Sequence, residues 1–377
     1  MHAAAAFGKP RFPTLLLLLF ALSLTVAGCS TARKEAPQEA VSGEAELAPD
    51  PAAGTDTAEA GTADQPGPDA AAVTADQEAP VEAPPSQHAV LHIALAPEEV
   101  RPGEPFTVAF VADGDGAARN FRVVLLNSRG ERLSKAAVFS LGGEGKRVLA
   151  AIMAVPSTAK TGEALVRVER DGVSLGEIAL GIPEREFAAE EIALNQQNTD
   201  IRTVPDPQKT AESEQLWGII NSTGTTIFTE APFVPPVTST RRTSFYGDRR
   251  VYRYVSGKTD TAIHAGVDYG VPKGTSVRAC AAGKVVLARF RIVTGNSVII
   301  EHLPGVYSIY YHLDSIGVNE GDMVNPGDLL GESGSTGLAT GPHLHWEIRV
   351  SGENADPDAF TARPVLDKEA LLSKLGE

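Results

Sequence analysis

From about residue 89 onward the chain runs in short apolar stretches, broken at almost every junction by glycine, proline, aspartate or asparagine, and shows no long helical period. Such a pattern calls for a mainly β protein built from short antiparallel strands. Six stretches come first: VLHIAL (90–95), FTVAFVA (106–112), FRVVLLN (121–127), KRVLAAIMAV (146–155), ALVRVERDG (164–172) and SLGEIALGI (174–182). RPGEP, DGDG, SRGE and GGEG mark turns between several of them. Strands at this spacing predict an immunoglobulin-like β-sandwich over 89–183. No catalytic residue types cluster there, and His92, alone on its strand, reads as a packed or rim histidine. A spacer or docking module is the expectation.

Residues 184–236 read as a connector. Asp206-Pro207 has the form of a helix start, a capping aspartate followed by proline in the first turn. A helix running to about Ile220 would set Leu216, Trp217 and Ile220 against a neighbour. Pro232, Pro235 and Pro236 then end regular structure. Short strands return over 237–367 as a second, C-terminal antiparallel β domain, leaving 368–377 as a tail.

The N-terminal quarter follows other rules. Lys9 and Arg11 precede the apolar run LLLLLFALSLTV (15–26) and then Ala27-Gly28-Cys29, so residues 1–28 read as an export signal too short to remain as a membrane span. The cysteine directly after VAG resembles a bacterial lipobox, which implies cleavage before Cys29 and lipid on its sulfur. The whole chain of 377 residues carries a net charge of -15. Twelve acids against two bases lie between Ser30 and His88, among Ala, Pro, Thr and Gly and without one aromatic residue, so most of that charge sits here. A segment of this kind buries too little apolar surface to offset its ordering entropy, and 29–88 is expected to be a disordered acidic tether. No basic patch balances it, which argues against nucleic acid as a partner. The other cysteine, Cys280, lies in VRACAAGKVVL and reads as a small buried hydrophobe. With Cys29 lipidated, no intramolecular disulfide is available.

Five of the eight histidines fall between His264 and His345, and four of them, all but His302, form three pieces with Asp268. IHAGVDYG carries His264 and Asp268, four apart, in a glycine-rich segment unsuited to a helix. SIYYHLDSI puts Tyr310 and His312 on one face of a strand, Ile309 and Tyr311 on the other. GPHLHWEIRV alternates Leu344, Trp346, Ile348 and Val350 with His343, His345, Glu347 and Arg349, so two imidazoles share the polar face. Each piece alone is weak. Together, two imidazoles and one carboxylate suit Zn2+, leaving a fourth position for water, with further histidines free for proton transfer. Which imidazoles would ligate is not fixed by spacing.

The segment from about Thr240 to Pro357 resembles the lysostaphin-like (LytM-type) zinc metallopeptidases that cut peptidoglycan peptides. The likeness lies in STRRTSFYGDRR, IHAGVDYGVPKGTSVRACAAGKVV, GNSVIIEHLPGVYSIYYHL, VNEGDMVNPGDLLGESGSTGLATGPHLHWEI and the closing ADP. It implies His264, Asp268 and His345 as ligands of one zinc ion, His343 as general base and His312 as holder of the oxyanion. It also suggests Asn296 and Tyr310 as substrate contacts, simple turn chemistry being the other reading of Asn296. The expected protein is a zinc-dependent endopeptidase acting on peptidoglycan stem or cross-link peptides. Its lipid on Cys29 would anchor it in the cell envelope, on the periplasmic side of the outer membrane in a cell with two membranes. The alternative is a non-catalytic LytM-type regulator of cell-wall amidases. A lipoyl- or biotinyl-type carrier lacks its hairpin lysine here, GESGSTGLATG lacks a Gly-Lys-Ser/Thr ending, and neither Ser333 nor Ser335 sits in a nucleophile elbow.

Overall fold

Alternation decides the first domain. In the computed structural model, which describes residues 92–112, 117–142 and 147–376, eight strands form two four-stranded antiparallel sheets. They are β1 (Ile93–Ala96), β2 (Pro105–Val111), β3 (Phe121–Leu126), β4 (Arg132–Ala137), β5 (Phe139–Ser140), β6 (Val148–Ala154), β7 (Gly162–Arg170) and β8 (Val173–Ile182). The strand orders are β1-β2-β6-β5 and β4-β3-β7-β8. Phe106, Val108 and Phe110 of one sheet meet Val123, Leu125, Val166 and Val168 of the other in a shared core. β4 and β5 were not anticipated: RLSKAA carries too much polarity for an apolar run, and two residues are too few for a pattern.

β2 and β6 are buried on both faces. Their second face, small residues such as Ala109, Ala150 and Ala154, packs into the core of the C-terminal region. That explains why KRVLAAIMAV reads as a continuous apolar run instead of alternating. Thr107 Oγ1 donates to the Val365 carbonyl, and Ser351 Oγ to that of Ile152. Residues 368–377, expected as a tail, instead carry α4 (Lys368–Leu375), capped by Asp367 and closed by Gly376 at φ 74°. Its Leu371 and Leu375 are buried, and Lys374 Nζ reaches the Leu95 carbonyl at 2.8 Å.

The connector contributes β9 (Ala189–Ala193), α1 (Gln196–Thr203) and α2 (Pro207–Ile220). α2 starts as the sequence indicated: Asp206 accepts from the Gln208 backbone N–H at 2.8 Å and Pro207 opens the first turn. The remaining elements are β10 (Arg242–Ser244), β11 (Arg249–Arg253), β12 (Thr259–Ile263), β13 (Gly266–Tyr269), β14 (Ser276–Arg278), β15 (Gly283–Arg291), β16 (Gly295–Leu303), β17 (Val306–Ile316), β18 (Met323–Val324), β19 (Leu329–Ser333), β20 (Leu344–Val350), β21 (Glu353–Ala355) and α3 (Pro357–Ala362). β10-β13-β20-β17-β16-β15-β18 run side by side in one large sheet, while β12, β11 and β9 form a small separate one. One face of the large sheet holds Val285, Val298, Ile300, Tyr310, Trp346 and Ile348 in the core. The other face is covered by α2, whose Leu216 and Ile220 pack on Leu287, Ile299, Tyr307, Ile309 and Tyr311. No helix among the described residues is long and apolar enough to cross a membrane. The export signal, Cys29 and the acidic tether lie outside the described residues.

Candidate metal centre

β13 and β20 are antiparallel neighbours in which Asp268 stands opposite His345. Directly opposed residues project from the same face of a sheet, so this register alone brings the carboxylate and the imidazole together. The approach needs Gly266, where a Cβ would stand 2.2 Å from the Trp346 carbonyl oxygen. His264 arrives from the other sheet. It follows β12 and is pinned by two backbone bonds, His264 N–H to the Asp248 carbonyl and Gly247 N–H to its own.

The hydrogen bonds assign the imidazole tautomers, because a carbonyl oxygen can only accept. His264 Nδ1 donates to the Phe245 carbonyl at 2.8 Å, so its Nε2 presents a lone pair. His345 is reversed: Nε2 faces Glu347 Oε2 at 3.4 Å and Nδ1 points inward. Asp268 Oδ1 lies 3.2 Å from His264 Nε2 and 2.8 Å from His345 Nδ1, and the two nitrogens are 3.0 Å apart. Three ligand-type atoms thus converge, buried and all within 4.8 Å of one another, held together without a cation by a proton on His345. Borderline nitrogen and carboxylate donors in this number fit a divalent cation of the zinc type. The electrostatics agree. Burial opposes a charge on His345, yet Asp268 and Glu347 raise its pKa to about 9. Burial would raise Asp268, but His264 and His345 hold it well below the usual carboxylate range. The pocket asks for positive charge.

His343 and His312 stand beside this cluster. His343 Nδ1 donates to the Gly341 carbonyl at 2.8 Å, leaving Nε2 free 3.9 Å from Asp268 Oδ1. His312 Nδ1 donates to the Thr336 carbonyl at 2.8 Å, and its ring centroid is 4.8 Å from that of His343. Burial first, then His343 and His345, push His312 down to about 3, so it is neutral. His312 reaches the site only because its backbone is left-handed, φ 60°, a conformation rare outside glycine and found at strained functional positions.

That kink corrects the sequence reading of β17. Strict alternation would keep His312 with Tyr310, but the two part. Tyr310 is fully buried on the core face; its hydroxyl oxygen accepts from the Cys280 backbone N–H at 3.0 Å and from Ser308 Oγ at 3.1 Å. It touches no part of the site and is not a substrate contact. Tyr311 is the residue that faces His345, stacked at 5.5 Å with an interplanar angle of 9°. Asn296 lines neither cavity at the site; its amide nitrogen donates to the Leu313 and Asp314 carbonyls at 3.1 and 3.0 Å and fixes the end of β17. Cys280 is buried, its thiol pushed up to about 11 by burial.

A cavity of about 360 Å³ opens on Asp268, His312, His343 and His345 and is lined also by Glu190, Ile192 and Leu194 of the connector. A second of about 180 Å³ lies behind His264, His345 and Glu347, closed by α2 through Glu212 and Leu216. Three further residues belong to the centre. Glu347 was visible in the alternation of β20, two residues beyond His345. Arg250 and Glu190 carry no sequence signal, because only the pairing of β9 with β11 places them.

Comparison with known proteins follows the same ground. Residues 262–357 match peptidase family M23. The DD-carboxypeptidase/endopeptidase Mpg of Neisseria meningitidis is 39% identical over 124 residues, which are 33% of this chain and 28% of that protein. The peptidoglycan DD-endopeptidase ShyA of Vibrio cholerae is 40% identical over 117 residues, 31% of this chain and 27% of that one. The chain thus spans under a third of the length of either relative. Among solved structures, the catalytic domain of the antimicrobial peptidase lysostaphin from Staphylococcus simulans is 32% identical, with a TM-score of 0.29, covering 32% of this chain and 92% of that one.

Proposed function

We propose that the chain is a zinc-dependent endopeptidase of peptidoglycan, a reading that starts from the match of residues 262–357 to peptidase family M23. The observation that carries the reading is the convergence of His264 Nε2, Asp268 Oδ1 and His345 Nδ1, whose residues' outward atoms are already bonded. When bound there, a divalent cation supplies Lewis-acid polarisation of a peptide carbonyl and acidifies water. The chain's own residues divide the remaining work. His343 offers Nε2 as the proton acceptor, its tautomer held by the Gly341 carbonyl. His312 has spent its Nδ1 proton on Thr336, so it can hold a developing oxyanion only after gaining a proton at Nε2. Burial beside two imidazoles opposes that gain until negative charge develops in front of it.

The names of Mpg and ShyA make a DD bond of the cross-link the first substrate to try. A non-catalytic regulator is disfavoured because all five site residues are present. The strand orders β1-β2-β6-β5 and β4-β3-β7-β8 support an immunoglobulin-like reading of 89–183. Its packing on the C-terminal region makes it a fixed part of the molecule. Lipid on Cys29 and the tether would hold the enzyme in the envelope within reach of the wall.

The test is zinc content together with release of soluble muropeptides from sacculi by the full chain. One equivalent of zinc and cleavage are expected, with both lost in His345→Ala. Cleavage undiminished in His345→Ala, or by a zinc-free protein, would refute the assignment.

A further inference from the structure

The two oxygens of Asp268 have separate partners. Oδ1 faces His264 Nε2 and His345 Nδ1, the inward ring nitrogens of the centre. Oδ2 is held by Arg250 Nη2 at 2.7 Å. Arg250 sits in β11, on the small sheet, and both side chains of the pair are largely buried, 13% and 9% exposed. Its guanidinium is fastened from two other directions. Nε donates to Glu190 Oε1 at 2.5 Å, and Nη2 also donates to Ser244 Oγ at 2.8 Å. Glu190 comes from the connector strand β9, which pairs in parallel with β11, residue 190 beside residue 250. The planar fork of arginine is therefore fixed on three acceptors from three strands, a geometry that a lysine cannot reproduce.

We propose that Arg250 is a positioning residue that reserves Oδ2 of Asp268, so that the carboxylate offers a single oxygen to the cation and one coordination position stays open. A carboxylate beside a metal binds through one oxygen or two, and the second oxygen, if free, would add a fifth donor to the three protein ligands and water, in the place an incoming substrate must take. A charge-assisted bond at 2.7 Å keeps Oδ2 turned away. Glu190 offsets the arginine charge, so its partner Asp268 keeps its attraction for a cation. The connector strand is in this way part of the catalytic centre. The inference rests on the metal-binding reading above and concerns only this chain's arrangement around it.

Cobalt(II) tests it, since four-coordinate cobalt absorbs visible light far more strongly than five- or six-coordinate cobalt. The metal-free full chain is loaded with Co2+ alone, as wild type, Arg250→Gln and Arg250→Lys, and the thermal midpoint of each metal-free form is recorded. Wild type should give an intense visible band. Arg250→Gln should lose it several-fold as Oδ2 turns inward, and Arg250→Lys, which keeps the charge without the fork, should lose part of it. Bands equal to wild type in both variants, with only the thermal midpoint lowered, would mean that Arg250 merely ties β11 to its neighbours, and would overturn the proposal. A wild-type chain without any cobalt band would overturn the metal reading and this inference with it.

Discussion

Glu347→Gln separates what holds the metal centre up from what it does. Glu347 and Arg349 are each 2% exposed and pair through Oε1 and Nε, while Glu347 Oε2 takes the outward nitrogen of His345. Arg349 also donates to the Gly352 carbonyl at 3.1 Å and lies 5.6 Å from the Trp217 ring, so it has nowhere to go if its carboxylate is neutralised. Removing one partner of a buried ion pair costs about 3–5 kcal/mol, because the other charge is left without compensation. For a domain of this size that lowers the thermal midpoint of the metal-free protein by roughly 6–20 °C. Metal affinity should fall by about 10- to 100-fold, the effect of losing an outer-shell partner of a ligating imidazole. Thermal unfolding and competition with a zinc chelator measure the two separately. The double variant Glu347→Gln/Arg349→Met removes both charges and should recover at least half of the lost stability while keeping the affinity defect. A single variant that melts within a degree or two of wild type would refute the reasoning. So would a double variant less stable than either single one.

Three other outcomes follow from the same structure. His302 is fully buried, donates from Nδ1 to the Ala282 carbonyl and sits at about 4, below its ordinary value because of burial. Below pH 6.5 the unfolded chain takes up a proton that the folded chain refuses. Stability therefore falls with pH from 6.5 to about 4, by about 3 kcal/mol from this group. Urea midpoints of the metal-free chain that stay level over that range would contradict it. Gly266→Ala drives a Cβ to 2.2 Å from the Trp346 carbonyl oxygen, so β13 must part from β20; loss of zinc binding and about 1–3 kcal/mol of stability are expected, and a variant with normal zinc content would be the contrary result. Asp206→Ala removes the α2 cap at a cost of about 1 kcal/mol, and amide exchange over 207–220 should quicken about fivefold while the sheet amides stay unchanged.

What the sequence made legible was local. Asp206-Pro207 announced α2 because a cap and a proline act within one turn. The alternation of β20 was legible because period 2 is a property of one strand, and it correctly put Trp346 in the core and His345 with Glu347 on the other face. The failures share a cause. Tyr310 was misplaced because one left-handed residue, His312, reverses the side-chain sequence, and no residue type announces it. Arg250 and Glu190 were missed because their roles exist only once β9 lies beside β11, and a parallel pairing across sixty residues leaves no periodic trace. The α4 helix is different. Asp367, the apolar Leu371 and Leu375, and Gly376 were all in view, but a helix of eight residues offers too few turns to show a period.

The four imidazoles are not equivalent, and the reason lies in the strand. His264, His312 and His343 each donate from Nδ1, the nitrogen nearer the backbone, to a main-chain carbonyl, so each presents Nε2 to the centre. His345 alone presents Nδ1. Of the four, His264 and His343 lie just outside their strands and His312, though within β17, has a left-handed backbone; His345 sits in the regular ladder of a central strand, where its neighbours' carbonyls are already committed. With no carbonyl for Nδ1 to find, the outward nitrogen needs a side-chain acceptor on the same face. The next residue on that face of an extended chain is two positions along, and here that residue is Glu347. A carboxylate raises the basicity of an imidazole more than a carbonyl does, so in the proposed ligand set the imidazole from the rigid strand would be the stronger of the two nitrogen donors. Burying Glu347 beside it in turn requires a cation, which Arg349 supplies from two positions further along the same face. The order His343, His345, Glu347, Arg349 is thus one outward chain of consequences: the proposed base, the proposed ligand, the acceptor that orients that imidazole, and the charge that keeps the acceptor ionised.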